Sequence, residues 1–311
     1  MKISAIRYCA VALLAALSLI GCSGRNGNSK SEAKPKRYEF SYVQAPTLFD
    51  EQEQRLYMRD HFWDKFDFAD SLYTTKADTT QMLRAYAIYL SNFVNPLDAT
   101  PISRLMQKAS TSKPMFEYFV MLSEKLLNDP NSPLRSNELY IAVLEAQLAS
   151  THLDKYEKMA PEYDLRIAKQ NRIGQKANDF TYTLQSGVSR QMYALKNDFV
   201  ILYINNPGCP MCRDITAALK GSAIINELLQ QKRLAILAIY PDEELEEWHN
   251  HLGDFPATWI NGYDRGCRIE REGLYDLRAI PSLYLLDRDK RVIIKDSTSV
   301  AELEQTLINS K

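Results

Sequence analysis

The segment Asn205-Asn206-Pro207-Gly208-Cys209-Pro210-Met211-Cys212 constrains this chain more than any other. The run before it, Phe199-Val200-Ile201-Leu202-Tyr203-Ile204, is unbroken and apolar, as expected of a strand covered on both faces. A helix follows from Cys212, with Ile215, Ala218 and Leu219 on one face. Two cysteines separated by two residues where a buried strand turns into a helix make a redox site. Unpaired N–H groups and a partial positive charge at the helix N-terminus stabilise a thiolate at Cys209. Cys212, one turn in, is placed to close a disulfide with it. The same spacing also serves metal binding or a structural staple, so context decides.

The compartment is the first piece of context. Lys2 and Arg7 precede an apolar stretch, Cys9 to Ile20, that is short for a membrane span. It ends in Leu19-Ile20-Gly21-Cys22, which resembles the bacterial lipobox, in which the cysteine is lipidated and becomes the first mature residue. That resemblance implies a lipoprotein signal over 1–22 with Cys22 as the lipidation site. The mature chain would then face the periplasm in a bacterial cell envelope, held to the membrane by the lipid, with inner and outer membrane both open. Cys209, Cys212 and Cys267 remain for chemistry. In an oxidising compartment a vicinal pair cycles between dithiol and disulfide rather than holding zinc. Zinc would need further ligands, and none of the 4 histidines has finger or knuckle spacing. No metal and no cofactor beyond the redox-active disulfide is therefore expected. At a formal net charge of -1 over 311 residues, the chain shows no nucleic-acid footprint.

Residues 23–44 read as a polar, flexible tether, and 45–170 as a helical domain. Met82, Tyr86, Leu90 and Phe93 recur at helical spacing, as do Tyr140, Val143, Leu144 and Leu148. Pro101 and Pro114 fit first-turn positions, and 128–133 reads as a loop. The aromatics Tyr57, Phe62, Trp63, Phe66 and Phe68 read as core, and His61 and His152 as structural. Strand and helix signals then alternate over 171–311, which specifies an α/β sandwich around a mixed sheet flanked by helices. Leu234–Tyr240 is a second buried strand, and Ser222 caps a helix. Residues 282–286 and 291–295 form a hairpin, and Ser299 with Glu302 makes a capping box for the last helix.

Three motifs in order carry a family resemblance. Gly174 to Phe180 resembles the Gly-x-x-Ala-Pro-Asp-Phe opening of redoxin domains, with Asn178 at the proline position. Cys209-Pro210-Met211-Cys212 follows the central strand, and Ile280-Pro281-Ser282 resembles a cis-proline loop. Residues 171–311 thus resemble the thioredoxin-like family, in particular its TlpA and redoxin-type envelope members. The helical part is similar to an uncharacterised domain found ahead of such domains in other bacterial lipoproteins, notably at His61 to Asp67.

The resemblance implies a thioredoxin-like fold and an envelope thiol–disulfide oxidoreductase. Cys209 attacks, Cys212 resolves, and Pro281 lies beside Cys209. Ile280 offers its backbone to substrate, while Pro210 and Met211 tune the redox poise and meet the substrate. The implied partners are protein thiols and disulfides of the envelope and an electron donor of unspecified identity. Proline after the first cysteine resembles glutaredoxins, whereas isoleucine before Pro281 resembles thioredoxin, so the direction of electron flow stays open. Tyr203 stands where thioredoxins carry a buried aspartate, and Gly208 where tryptophan is common. A peroxidase would need proline and threonine seven and three residues ahead of its cysteine. Those positions hold Leu202 and Asn206 before Cys209, and Asn205 and Cys209 before Cys212, which leaves reductase- or isomerase-type exchange. The alternative is a lipid-anchored binding or scaffold module whose cysteine pair is structural or vestigial. Cys267 is read as an inert thiol.

Overall fold

Seven α-helices precede the sheet in the computed structural model, which describes residues 37–310. The signal segment and Cys22 lie outside the described residues. The helices are α1 (Glu51–His61), α2 (Tyr73–Lys76), α3 (Thr79–Phe93), α4 (Thr100–Ala109), α5 (Lys113–Ser123), α6 (Asn137–Ala149) and α7 (Met159–Ala168). Local signals set their starts. Asp50 and Glu53 exchange side-chain and backbone bonds in a capping box on α1. Pro101 and Pro114 occupy first turns, where a missing N–H costs nothing. One π turn, Glu124–Asn128, ends α5 ahead of the proline loop.

The aromatic group forms the core of this half. Phe62, Trp63 and Phe66 are buried, and Trp63 meets Phe119 edge-on with ring centroids 5.5 Å apart. Helix α6 buries Leu139 through Leu144 on successive faces, as the central helix of a bundle must.

The expected tether 23–44 departs from expectation over its described end. Tyr38 meets Tyr73 edge-on at 5.1 Å, Phe40 lies 5.1 Å from Trp63, and Tyr42 stacks on Phe62 at 4.9 Å. The Phe40 N–H donates to Gln81 Oε1 at 3.1 Å. In extended chain, residues two apart share a face, so alternating aromatics make a sticky edge despite their polar neighbours.

The sheet has seven strands: β1 (Thr181–Leu184), β2 (Ser189–Gln191), β3 (Phe199–Ile204), β4 (Leu234–Tyr240), β5 (Ile260–Tyr263), β6 (Ser282–Asp287) and β7 (Val292–Ser297). Their order is β2-β1-β5-β4-β3-β6-β7; β3, β4 and β5 run parallel and the outer pairings are antiparallel. This is the expected mixed sheet flanked by helices. Helices α8 (Pro210–Gly221), α9 (Ala223–Gln230), α10 (Leu245–Asn250), α11 (Arg268–Arg271) and α12 (Val300–Asn309) accompany it.

Strand periodicity sorts the core into two faces. Ile201 and Tyr203 of β3, with Ile236 and Ala238 of β4, pack under Ile215, Leu219, Leu228 and Leu303. Val200, Leu202 and Ile204, with Leu237 and Ile239, pack against Phe180, Met192, Ile269 and Tyr275. Both faces are therefore covered, which is why β3 and β4 read as apolar throughout.

Two local expectations change. Thr216, rather than Ala218, joins Ile215 and Leu219 on the buried face of α8. Ser299 Oγ accepts the Glu302 N–H at 3.2 Å, but the Glu302 carboxylate accepts from Ser297 Oγ at 2.6 Å instead of returning to the cap. Ser297 also accepts the Ser299 N–H at 3.0 Å, so it takes over half of the capping box.

Candidate functional site

At the end of β3 the chain must leave the sheet and start a helix within a few residues. Asn205 is buried, and its amide donates to the carbonyls of Tyr203 and Ile239, each at 3.3 Å, tying the ends of β3 and β4 together. Gly208 has φ +81, a left-handed conformation in which a side chain is strained. That turn delivers Cys209 to the N-cap of α8, with Pro210 in the first turn. Cys209 Sγ accepts the Cys212 N–H at 3.4 Å, occupying the place a serine or aspartate oxygen takes in an ordinary cap. A backbone donor is thus aimed at the sulfur.

The two thiols live in different surroundings. Cys209 is half-buried, whereas Cys212 is buried at 5% exposure, and both are free thiols. Burial pushes the Cys212 thiol up to about 12, against the opposing effect of the Asn206 N–H that points at its sulfur from 3.5 Å. Cys209 adds to the rise through its hydrogen bond and charge. Below them the buried Tyr203 hydroxyl donates to the Cys212 carbonyl at 2.8 Å and lies 3.2 Å from Thr216 Oγ1. Burial holds that phenol well above its ordinary range, so it positions the start of α8 and takes no proton. Asp214 is exposed.

A cavity of about 260 Å³ opens beside the pair, between α8 and the residues after α10. Tyr203, Cys209, Cys212, Thr216, His251 and Phe255 contribute to its wall. Arg213 donates to the Gly208 carbonyl at 3.1 Å across the turn, and Lys220 donates to the Asp254 carbonyl. His251 stands between Asp254, at 2.7 Å, and Glu247, at 3.3 Å. Thr216, His251 and Phe255 in this wall carry no local sequence signal.

The Ile280–Pro281 bond is cis, and Pro281 is buried. Ile204 pairs with Ser282 in the β3–β6 register, which puts Pro281 one residue beyond that pair, at the sheet end where Cys209 emerges. Pro210 and Met211 are exposed, Met211 at 50%, on the first turn of α8. The expected site residues therefore gather at one end of β3 and β6. Cys267 lies at the start of α11 with φ +51; it is buried, and burial raises its thiol, with Glu243 and Asp264 adding to the rise. Among the described residues, no group of three or more His, Cys, Asp or Glu side chains is arranged to hold a metal ion.

Known proteins share this fold. A thioredoxin-like protein from Bacteroides caccae, known from its crystal structure, is 40% identical, with 88% of this chain and 99% of that one covered at a TM-score of 0.83. The chain belongs to the thioredoxin-like family. Residues 197–292 match the family model described as thioredoxin-like, and residues 21–171 match a domain of unknown function (DUF5106). The C-terminal domain of an uncharacterized protein from Bacteroides fragilis is 49% identical over 44% of this chain and 98% of its own, with a TM-score of 0.43. No curated protein matches the chain. A helical domain followed by a thioredoxin-like domain with a Cys-x-x-Cys pair is thus the organisation of this protein.

Proposed function

We propose that this thioredoxin-like protein is a thiol–disulfide oxidoreductase of the reductase or isomerase type, acting through Cys209 and Cys212. The observation that carries the reading is the asymmetry of the pair. Cys209 is accessible at a helix N-terminus with an N–H on its sulfur, and Cys212 is buried with its proton firmly held. The Cys209 thiolate attacks one sulfur of a substrate disulfide, forming a mixed disulfide and expelling the other sulfur as a thiolate. Cys212 then loses its proton to that departing thiolate or to water and attacks Cys209 Sγ. The second substrate thiol leaves, and the pair is oxidised by two electrons. A dithiol donor returns the electrons by the reverse exchange. The cis Pro281 loop borders the attack site, and the Ile280 backbone would pair with an extended substrate segment.

Cells would hold the protein on the envelope membrane through lipidated Cys22, a reading supported by the order of charged, apolar and small residues over 1–22. Labelled fatty acid incorporation, lost in Cys22→Ala, tests it. For the chemistry, insulin-disulfide reduction by the reduced protein is expected, with turnover lost in Cys209→Ser and mixed disulfides accumulating in Cys212→Ser. Wild-type protein that reduces no disulfide, with a pair that stays oxidised in strong dithiol, overturns this reading in favour of a scaffold.

A further inference from the structure

The segment that leads into Pro281 is held from outside its own domain. Asp276, Arg278 and Ser282 bracket the cis-proline, and each belongs to a charged cluster shared with the helical domain. Arg278 forks onto Asp276, with Nε to Oδ1 at 2.9 Å and Nη2 to Oδ2 at 2.7 Å, and lies 3.6 Å from Asp164 of α7. Arg135, on the loop before α6, reaches Asp276 at 3.5 Å and pairs closely with Asp296 of β7. Asp296 accepts from Ser282 Oγ at 2.7 Å, next to Pro281 itself. Asp276 and Asp296 are buried at 6% and 4% side-chain exposure, and Arg135 at 15%, so water does not screen these pairs.

Neutral contacts close the same segment from its start. The amides of Asn171 and Asn178 donate to the Leu274 carbonyl at 2.7 and 2.9 Å, and the Tyr275 hydroxyl donates to the Asn178 carbonyl at 2.6 Å. The free end of Lys295 donates to the carbonyls of Ala168 and Gln170 just past α7, at 2.8 and 2.7 Å. Arg135 meets both carboxylates through one nitrogen, Nη2, so a single permanent charge is shared between Asp276 and Asp296. Its carrier is the loop onto α6, a helix that buries residues on successive faces. The cluster therefore links the loop before α6 and helix α7 to the segment around Pro281.

We propose that the helical domain positions the cis-proline loop through Arg135, with Asp164, Asp276, Arg278 and Asp296 as positioning residues, and thereby sets the preference for polypeptide disulfides over small ones. This rests on the oxidoreductase reading of the same site. A polypeptide substrate must align along the loop backbone as its disulfide meets Cys209, whereas a small disulfide needs only access to the sulfur. Loosening the loop penalises the first and spares the second.

The test compares full-length wild type with Arg135→Gln, which removes the charge shared by Asp276 and Asp296, and with the milder Asp164→Asn. Insulin and hydroxyethyl disulfide serve as the two substrates, and amide hydrogen exchange over 276–283 is read in parallel. The expected result is a rise of about tenfold in KM for insulin in Arg135→Gln, with the hydroxyethyl disulfide rate changed less than about twofold. Asp164→Asn should show a smaller rise in the same direction, and exchange over 276–283 should quicken while α6 stays protected. Equal losses on both substrates, or unchanged selectivity with unchanged exchange, overturn the proposal. If wild type reduces neither substrate, the oxidoreductase reading fails, and the exchange comparison still decides whether the helical domain holds the loop.

Discussion

Reduced full-length protein treated with iodoacetamide at pH 8 should be alkylated at Cys209 and spared at Cys212. Alkylation needs both a thiolate and access to the sulfur. Cys212 has neither, being 5% exposed with its thiol raised from an ordinary 9.0 to about 12. Those three pH units lower its thiolate fraction about a thousandfold at any pH below both values, and burial slows the reagent further. Peptide mapping by mass spectrometry, with glutathione as the exposed reference thiol, reads the rate at each cysteine. Cys212 should react at least about a thousandfold more slowly than glutathione at pH 8 and speed up about tenfold per pH unit beyond pH 10. Labelling of Cys212 within about tenfold of glutathione would refute the argument that burial governs this thiol. The same physics would order the steps of the proposed exchange. Part of the rise at Cys212 comes from the neighbouring Cys209 sulfur, through its hydrogen bond and its charge. In the proposed exchange both effects would weaken once Cys209 is bonded to substrate, so Cys212 would become easier to ionise when its attack is needed.

Other substitutions test the support of the site. Tyr203→Phe removes the hydroxyl from the Cys212 carbonyl and from Thr216, and should cost about 1–2 kcal/mol in urea unfolding; an unchanged midpoint and slope would discount that bond. Gly208→Ala forces a side chain into φ +81 with its Cβ 3.2 Å from Glu247 Oε1, and should cost about 1–2 kcal/mol, whereas Gly208→Asn should cost less. Stability should also follow two desolvated groups on β7, Lys295 and Asp296. Burial lowers Lys295 from 10.5 to about 8, so the native state releases that proton more readily. Its contribution is full above 10.5 and lost as pH falls through 8. Burial raises Asp296 from 3.8 to about 6, so its contribution is full below 3.8 and lost as pH rises through 6. The stability gap between wild type and Lys295→Met should therefore shift in favour of wild type from pH 8 to 10.5, and a gap flat with pH would contradict this burial.

Much of the thioredoxin-like domain was legible because its signals are local. Apolar runs mark β3 and β4, and Ser222 accepts the Ile225 N–H at 3.3 Å, as a cap in the sequence implies. Misreadings arose where a local signal had a competitor. Ser297 displaced Glu302 from its capping box, and the alternating Tyr38, Phe40 and Tyr42 overrode a polar composition. The charged cluster around Pro281 had no signature, since Arg135 meets Asp276 and Asp296 across 141 and 161 residues of chain.

The cysteine pair divides along the same line. By itself, the sequence determined that Cys209 stands at the start of a helix emerging from a buried strand and that Cys212 follows within a turn, because strand period and helix start are short-range properties. Only the tertiary structure decided that Cys212 is enclosed with Tyr203 beneath it, and that the loop at Pro281 is braced by a different domain. Desolvation and ion pairing depend on everything that packs around a group, and those neighbours come from distant parts of the chain.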